Sequence, residues 1–395
     1  MPWKETCIMD EKVHLISDWL TGEYSKTELS TIYEVSRPTV YKWINRYEEE
    51  GVTGLEEQPR VPLNQPNATP SEIAEMIINT KLQHQYWGPK KIIAWLNINQ
   101  PWEQWPAAST AGEILRKEGL VSPRKKRRRT PPYMEPFKGC DKPNDVWSAD
   151  YKGEFRTKDG KVCYPLTITD NSSRYLLECR ALSHPTHELT QPWFEWAFRE
   201  YGLPEAIRTD NGVPFASVSL GGLSKLSIWF IKLGIRPERI KPGHPEQNGR
   251  HERMHRTLKQ ETTKPPMSNL RTQQQAFNKF RNEYNMERPN EALKQHPPAS
   301  MYRPSQRVYT VRLPKVEYDE GVMVRRVRHN GEIKWKGDFI YVSQTLAKEP
   351  VSLEQIDDHL WEVKFRFYSL GTLNEVTGKV LPHEKKQNKK VRRRR

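Results

Sequence analysis

The sequence predicts a multi-domain protein with N-terminal all-α helix-turn-helix units, a central α/β core and a small C-terminal β-barrel. Three observations predict it. Apolar residues recur at helical spacing through the N-terminal third. From about Asp145 to His296 the pattern changes to alternating strands and helices. After Pro297 short strand-like runs follow one another. The composition agrees: 35% of the 395 residues are hydrophobic, and adding glycine brings that to roughly 40%, where a soluble globular chain reaches about 45–50%. Several small cores joined by polar connections fit this better than one large core.

In the first unit, residues 1–60, Val13, Ile16 and Leu20 mark one helix. Ser25 with Glu28 reads as a capping box opening a second. Ser36 or Arg37 can cap a third, with Pro38 in its first turn, where proline is tolerated. Val40, Trp43, Ile44 and Tyr47 form its apolar face, and Gly51 closes it. Its other face carries Arg37, Thr39, Lys42, Asn45 and Arg46, donors suited to phosphates and base edges. Helix, short turn and basic helix make a helix-turn-helix pattern; the bland alternative is a three-helix bundle with a solvated polar face.

A Pro-rich joint leads to a second helix-turn-helix-like unit, residues 68–122. Ile73, Met76 and Ile77 mark its first helix, Ile92, Ile93 and Leu96 its second, and Thr110 with Glu113 is read as the cap of its third. The linker 123–144 holds Arg124 to Arg129, six adjacent like charges that repel and stay solvated. Lys125, Arg127 and Arg128 are expected on DNA phosphates.

The central core spans 145–300. Val146 to Tyr151 reads as a strand, and Tyr164 to Thr169 with Arg174 to Leu182 as a hairpin. Glu188 to Tyr201 reads as a helix and Ala206 to Asp210 as a short strand ended by Asn211-Gly212. A helix over Leu223 to Leu233, an extended stretch to Ile240 and a helix from Asn248 to about Thr262 follow. Residues 305–380 read as the barrel, with strands at Val308–Leu313, Val322–Arg328, Glu332–Trp335, Asp338–Val342, Leu360–Phe367 and Leu370–Val376. Residues 381–395 are a basic tail.

Lys plus Arg number 64 against 49 Asp plus Glu, a net charge of +15. A polyanion is the natural partner of such a chain, and nucleic acid is the commonest. The four cysteines, Cys7, Cys140, Cys163 and Cys179, form no CxxC pair, so a thiolate zinc site is not expected and a reducing compartment fits. No apolar signal core opens the chain and no stretch of about 18 apolar residues exists, so the expectation is a cytoplasmic protein on the bacterial nucleoid, away from membranes.

Three acids carry the chemistry. Asp150 ends one strand, Asp210 ends another, and Glu252 lies early in a helix. A phosphodiester repels anionic nucleophiles. Two divalent ions about 3.5–4 Å apart neutralise it, activate the attacking oxygen and stabilise the leaving one. Mg²⁺ prefers oxygen ligands, which carboxylates at neighbouring strand ends plus one from a packed helix supply. His255, Arg256 and Lys259 follow Glu252 at helical spacing and are expected to hold DNA at the site. Glu246, in the loop before the helix, is the rival third ligand. Asp170 is read as an Asx turn, His184 and His187 as a polar loop, and Cys163 and Cys179 as small buried residues.

With their flanks, these acids resemble the DDE triad of retroviral-integrase-like transposases encoded by bacterial insertion sequences. The resemblance rests on Asp210-Asn211-Gly212, on His244-Pro245 with Asn248-Gly249 and Glu252-Arg253, and on Arg256 to Lys259. Tyr284-Asn285, Arg288-Pro289-Asn290 and Ala292-Leu293 match a segment found behind that core. The match runs from about Asp145 to Pro304, and is looser before and weak after. It implies a ribonuclease-H-like core, two Mg²⁺ or Mn²⁺ ions on Asp150, Asp210 and Glu252, donor-end cleavage and strand transfer. The implied partners are double-stranded DNA, as transposon end repeats and target, and further copies of the chain assembled on it. Two departures stand out. Forty-one residues separate Asp210 from Glu252, more than the family's usual spacing, with the extra length placed around Val218 to Gly222. The His/Cys zinc module of retroviral integrases is absent. The rival readings are a non-catalytic DNA-binding regulator descended from a transposase, and a metal nuclease that cannot join ends.

Overall fold

A computed structural model of the chain describes residues 8–57, 68–121, 139–217, 220–240 and 249–382. The Pro-rich joint, the Arg124–Arg129 run with Lys125, Arg127 and Arg128, Val218, the His244–Asn248 segment with Glu246, and the basic tail lie outside these residues. The chain forms two compact units, residues 1–69 and 70–395.

The first unit holds α1 (Ile8–Thr21), α2 (Lys26–Ile32), α3 (Arg37–Glu50) and a 3₁₀ turn (Gly51–Leu55). The capping box forms as the sequence indicates. The Glu28 amide donates to Ser25 Oγ at 3.3 Å and the Ser25 amide to Glu28 Oε2 at 2.8 Å. Ser36, not Arg37, caps α3. Leu15, Ile16, Leu29, Val40, Trp43, Ile44 and Leu55 make the core of this unit.

In the second unit, α4 (Ser71–Gln83), α5 (Pro89–Asn99) and α6 (Ala108–Lys117) enclose Ile73, Ile77, Trp87, Ile92, Leu96 and Leu115. The cap expected at Thr110 does not form, because α6 begins earlier: Ala107 is its N-cap, and Thr110 lies within the first turn.

The central sheet is built from β1 (Val146–Tyr151), β2 (Phe155–Arg156), β3 (Val162–Asp170), β4 (Leu176–Leu182), β5 (Ala206–Thr209) and β6 (Arg236–Arg239). β3 runs antiparallel to β1 and β4, and the short β2 pairs with its first residues. β5 runs parallel to β1 and β6 parallel to β5. Helices α7 (His187–Tyr201) and α8 (Lys225–Lys232) cover one face; α9 (Gly249–Thr262) and α10 (Leu270–Met286) cover part of the other. Strand alternation sorts the sheet. Trp147, Ala149, Leu166, Ile168 and Ile207 meet Phe194, Phe198, Leu226 and Phe230 on the first face. Cys163, Leu176 and Cys179 meet Met254, Leu258, Phe277 and Phe280 on the second.

Side-chain amides of α10 close the open edge of β4. Asn285 bonds both the amide and the carbonyl of Leu176 (2.8 and 2.9 Å), and Gln274 bonds the Ala181 amide and the Cys179 carbonyl (2.8 and 2.9 Å). This covers an edge that would otherwise pair with another strand.

After the short α11 (Pro298–Met301) come β7 (Met323–Arg326), β8 (Glu332–Trp335), β9 (Asp338–Tyr341), β10 (Pro350–Asp357), β11 (Leu360–Phe365), β12 (Tyr368–Asn374) and β13 (Lys379–Leu381). They do not pair as the expected barrel. They form an antiparallel sheet ordered β13-β12-β11-β10-β7 and a separate β8–β9 hairpin. The hairpin contributes Ile333, Trp335 and Ile340 to the same apolar core as Val351, Leu353, Trp361 and Val363, a core that Leu223, Ile228 and Ile231 of the α8 region extend. Val308–Leu313, expected as a strand, is irregular. Its Tyr309 and Leu313 pack on the central core, and the adjoining Arg307 carbonyl accepts from the Leu203 amide at 2.7 Å.

Candidate active site

The placement of Asp150 and Asp210 follows from register. Ala149 pairs with Thr209 across the parallel β1–β5 ladder, so the next residues, Asp150 and Asp210, leave neighbouring strand ends together, about 4.8 Å being the strand spacing. Ala149 faces α7 and α8 with the apolar core. Alternation turns Asp150 to the opposite face, the one α9 covers, while Asp210 follows directly on the end of β5. Asp150 pairs with Thr167 of β3, on that same face.

The loop after β5 is shaped around Asp210. Its Oδ1 accepts from the Gly212 amide at 3.1 Å, and Asn211 Nδ2 donates to the Ile240 carbonyl at 2.9 Å, tying the turn to the end of β6. A Cβ on residue 212 would come within 3.0 Å of the Asp210 carboxylate, so glycine lets the backbone pass close to the acid.

α9 presents Glu252 to solvent and buries His251 and His255 at 2% and 4% exposure. His255 Nδ1 stands 3.9 Å from Asp150 Oδ2. The Thr167 hydroxyl lies 2.6 Å from His251 Nε2, 2.7 Å from His255 Nε2 and 3.1 Å from the Asp150 carbonyl, to which it donates. His251 Nδ1 meets the Thr169 hydroxyl at 3.0 Å. Burial pushes His251 down to about 3 and His255 well below the usual imidazole range. The face expected to hold DNA is thereby corrected. Arg256 and Lys259 are exposed beside Glu252, but His255 turns inward, neutral, against β3.

Among the described residues, Asp150, His251 and His255 form a cluster capable of holding a metal ion, each offering one ligand atom within 4.8 Å of the others. Both ring nitrogens of His251 already have hydroxyl partners, so Asp150 and His255 Nδ1 are its accessible donors. The oxygens of Asp150, Asp210 and Glu252 do not all lie within that mutual distance. A two-ion arrangement does not require it, because ions about 3.5–4 Å apart let the outer acids belong to different ions. Glu252 is one helical turn before His255, which puts their Cβ atoms about 5–6 Å apart. The helix turn that carries Glu252 therefore lies next to the one that brings His255 to Asp150.

The sequence reading placed His255 on the wrong face and passed over His251. The signal was present. Residues 251, 254, 255 and 258 form the stripe that α9 buries, and a histidine in such a stripe points inward.

Asp170, in contrast, is 1% exposed. Its Oδ1 accepts from the Ser173 amide and hydroxyl (2.7 and 2.6 Å) and its Oδ2 from the Asn144 amide (2.8 Å), a turn-forming role. Cys163 and Cys179 are buried. In the first unit, Arg37, Lys42 and Asn45 of α3 are exposed, and Thr39 and Arg46 half-buried. No helix among the described residues is long and apolar enough to cross a membrane.

Comparison with known proteins places these features. The integrase core domain family matches residues 141–245 and 233–298. A helix-turn-helix domain family matches 11–62, and a homeodomain-like domain family 39–115. An uncharacterized protein of insertion element IS476 from Xanthomonas euvesicatoria is 27% identical over 189 residues, 47% of this chain and 52% of that one. One of insertion element IS407 from Burkholderia multivorans is 27% identical over 183 residues, 46% of this chain and 63% of that one. The Gag-Pol polyprotein of baboon endogenous virus is 28% identical over 124 residues, 31% of this chain and 7% of the polyprotein. The chain thus spans less than two thirds of each relative. Among solved structures, the magnesium-bound catalytic core domain of HTLV-2 integrase aligns with a TM-score of 0.33 and 18% identity, over 41% of this chain and 98% of that one.

Proposed function

Residues 141–298 make this chain a member of the integrase core family, related to retroviral integrases and insertion-element transposases, and from that premise we propose that it is a DNA transposase cleaving donor ends and joining them to target DNA. The observation that supports the reading is the pairing of Ala149 with Thr209, the residues that immediately precede Asp150 and Asp210, together with the approach of α9 to Asp150.

Asp150, Asp210 and Glu252 would hold two Mg²⁺ or Mn²⁺ ions, which neutralise the scissile phosphate and activate the attacking oxygen. The other residues bind and orient. Thr167 fixes the Asp150 backbone from β3, and the neutral His255 Nδ1 faces its carboxylate at 3.9 Å. Arg256 and Lys259, exposed beside Glu252, meet the DNA strand entering the site. Arg37, Thr39, Lys42, Asn45 and Arg46 of α3 read the transposon end, with the basic linker residues Lys125, Arg127 and Arg128 on flanking phosphates. Joining two ends calls for an assembly of several copies on DNA, in the cytoplasm where the nucleoid lies.

The test is strand transfer with Mg²⁺ on duplexes carrying the flanking element ends. The wild-type chain should nick and join. Asp150→Asn should bind the same DNA and do neither. Undiminished joining by Asp150→Asn would refute the assignment, and binding without nicking by the wild type would favour a non-catalytic regulator.

A further inference from the structure

A cavity of about 460 Å³ opens between α5, α9 and the Tyr284–Ala292 segment. Lys91, Arg174, Arg250, Arg253 and Arg288 line it, and Glu291 is the single acid among the lining residues. The Glu261 carboxylate, behind the cavity, pairs with Arg288 at 2.5 Å. Lys91 donates to the Pro289 carbonyl, and Arg174 and Arg250 both donate to the Asn171 carbonyl. Carbonyls satisfy donors but cancel no charge; the acids that face these cations are Asp170, which attracts Arg174 and Arg250, and Glu291 and Glu261, which attract Lys91, so the five cations outnumber them. Burial pushes the Lys91 ammonium down to about 8, with Arg288 adding to the effect, and the Arg174 guanidinium to about 10, with Arg250 adding. Like charges held together and partly away from water favour the entry of an anion.

We propose that this cavity binds one backbone phosphate of duplex DNA, a reading that rests on the DNA-binding function proposed above. The choice of anion comes from the elements that supply the cations. Lys91 belongs to α5 of the second helix-turn-helix unit. Arg250 and Arg253 lie on α9 about 100–160° around the helix from Glu252, the residue step being about 100°, whereas Arg256 and Lys259 share the Glu252 face. A strand that crosses α9 from the Glu252 face toward α5 would meet the cavity. Guanidinium forks grip a phosphate by paired hydrogen bonds.

The full-length chain would be titrated with a fluorescent duplex of about 30 base pairs at several NaCl concentrations, where each phosphate contact contributes about 0.9 to the slope of log affinity against log salt. Arg253→Gln, at the exposed rim, and Arg174→Gln, inside, should each lower that slope by about 0.9. The double variant should lose no more than either single one, because both guanidiniums hold the same phosphate. Slopes equal to the wild type, or losses that add, would overturn the proposal. Arg253→Gln keeps the test alive if Arg174→Gln fails to fold. Strand transfer by the wild type reports separately on the transposase reading, so an altered slope without joining leaves the cavity proposal standing and removes only the other.

Discussion

Asp150 and Asp170 occupy opposite ends of one β1–β3 ladder, across from Thr167 and Trp147 respectively, yet they have opposite fates. Asp150 keeps 16% of its side chain exposed on the face that α9 approaches. Asp170 is sealed, and two amides and a hydroxyl saturate its carboxylate. A carboxylate whose acceptor sites are filled by the protein has nothing left for a cation. Asp150 instead keeps solvent access and lies 3.9 Å from His255 Nδ1. Solvent access, more than residue type or strand position, separates the acid proposed for the chemistry from the structural one.

That contrast can be broken in four places. The largest effect is expected at Asp150→Asn: joining falls on the order of a thousandfold, about 4 kcal/mol of transition-state stabilisation, with the melting temperature nearly unchanged. A large drop in melting temperature instead would make Asp150 structural, like Asp170. Asp170→Ala should do the reverse. It strands the buried amides of Ser173 and Asn144 and destabilises the fold by about 3 kcal/mol, read by urea unfolding, while activity per folded molecule holds. Thr167→Val should cost about 1–3 kcal/mol and slow joining about tenfold through a displaced Asp150. Thr167→Ser, which keeps the hydroxyl, should restore the rate, and a serine variant as slow as the valine one would remove Thr167 from the positioning role. Ser36→Ala should be smallest, about 1 kcal/mol from a lost helix cap, and confined to the first unit, where it weakens DNA binding without touching nicking of pre-bound DNA. Wild-type affinity in that variant would separate α3 from end recognition.

Much of the fold was legible where local signals are strong. The Ser25–Glu28 box, the Asn211-Gly212 turn and the strands leading to Asp150 and Asp210 each announce themselves within a few residues. α10 was passed over although Gln273, Phe277, Phe280 and Tyr284 recur at helical spacing, because its glutamines and asparagines read as polar chain until one sees them bonding β4. β10 is not legible because its end, Gln355 to Asp357, is exposed and mostly polar. Closure of the C-terminal strands was not legible for a different reason. Strand count is visible in a sequence, but whether edge strands close depends on pairings set by the fold as a whole. The inward turn of His255 likewise depends on which side of α9 meets β3, a tertiary fact.

The Ala149–Thr209 pairing also bears on how relatives of this chain should be searched for. Between the two acids β3 and β4 stay in the sheet, β3 paired with β1 itself, while α7 and the connecting loops leave it and return, so the loop and helix lengths can drift without changing the register of β1 against β5. Parity is not free: shifting β5 by one residue would carry its terminal acid through the sheet to the side of Phe194 and Phe230. Whether an acid falls in or out of step with its strand's buried residues is therefore a better search criterion than the count of residues between acids.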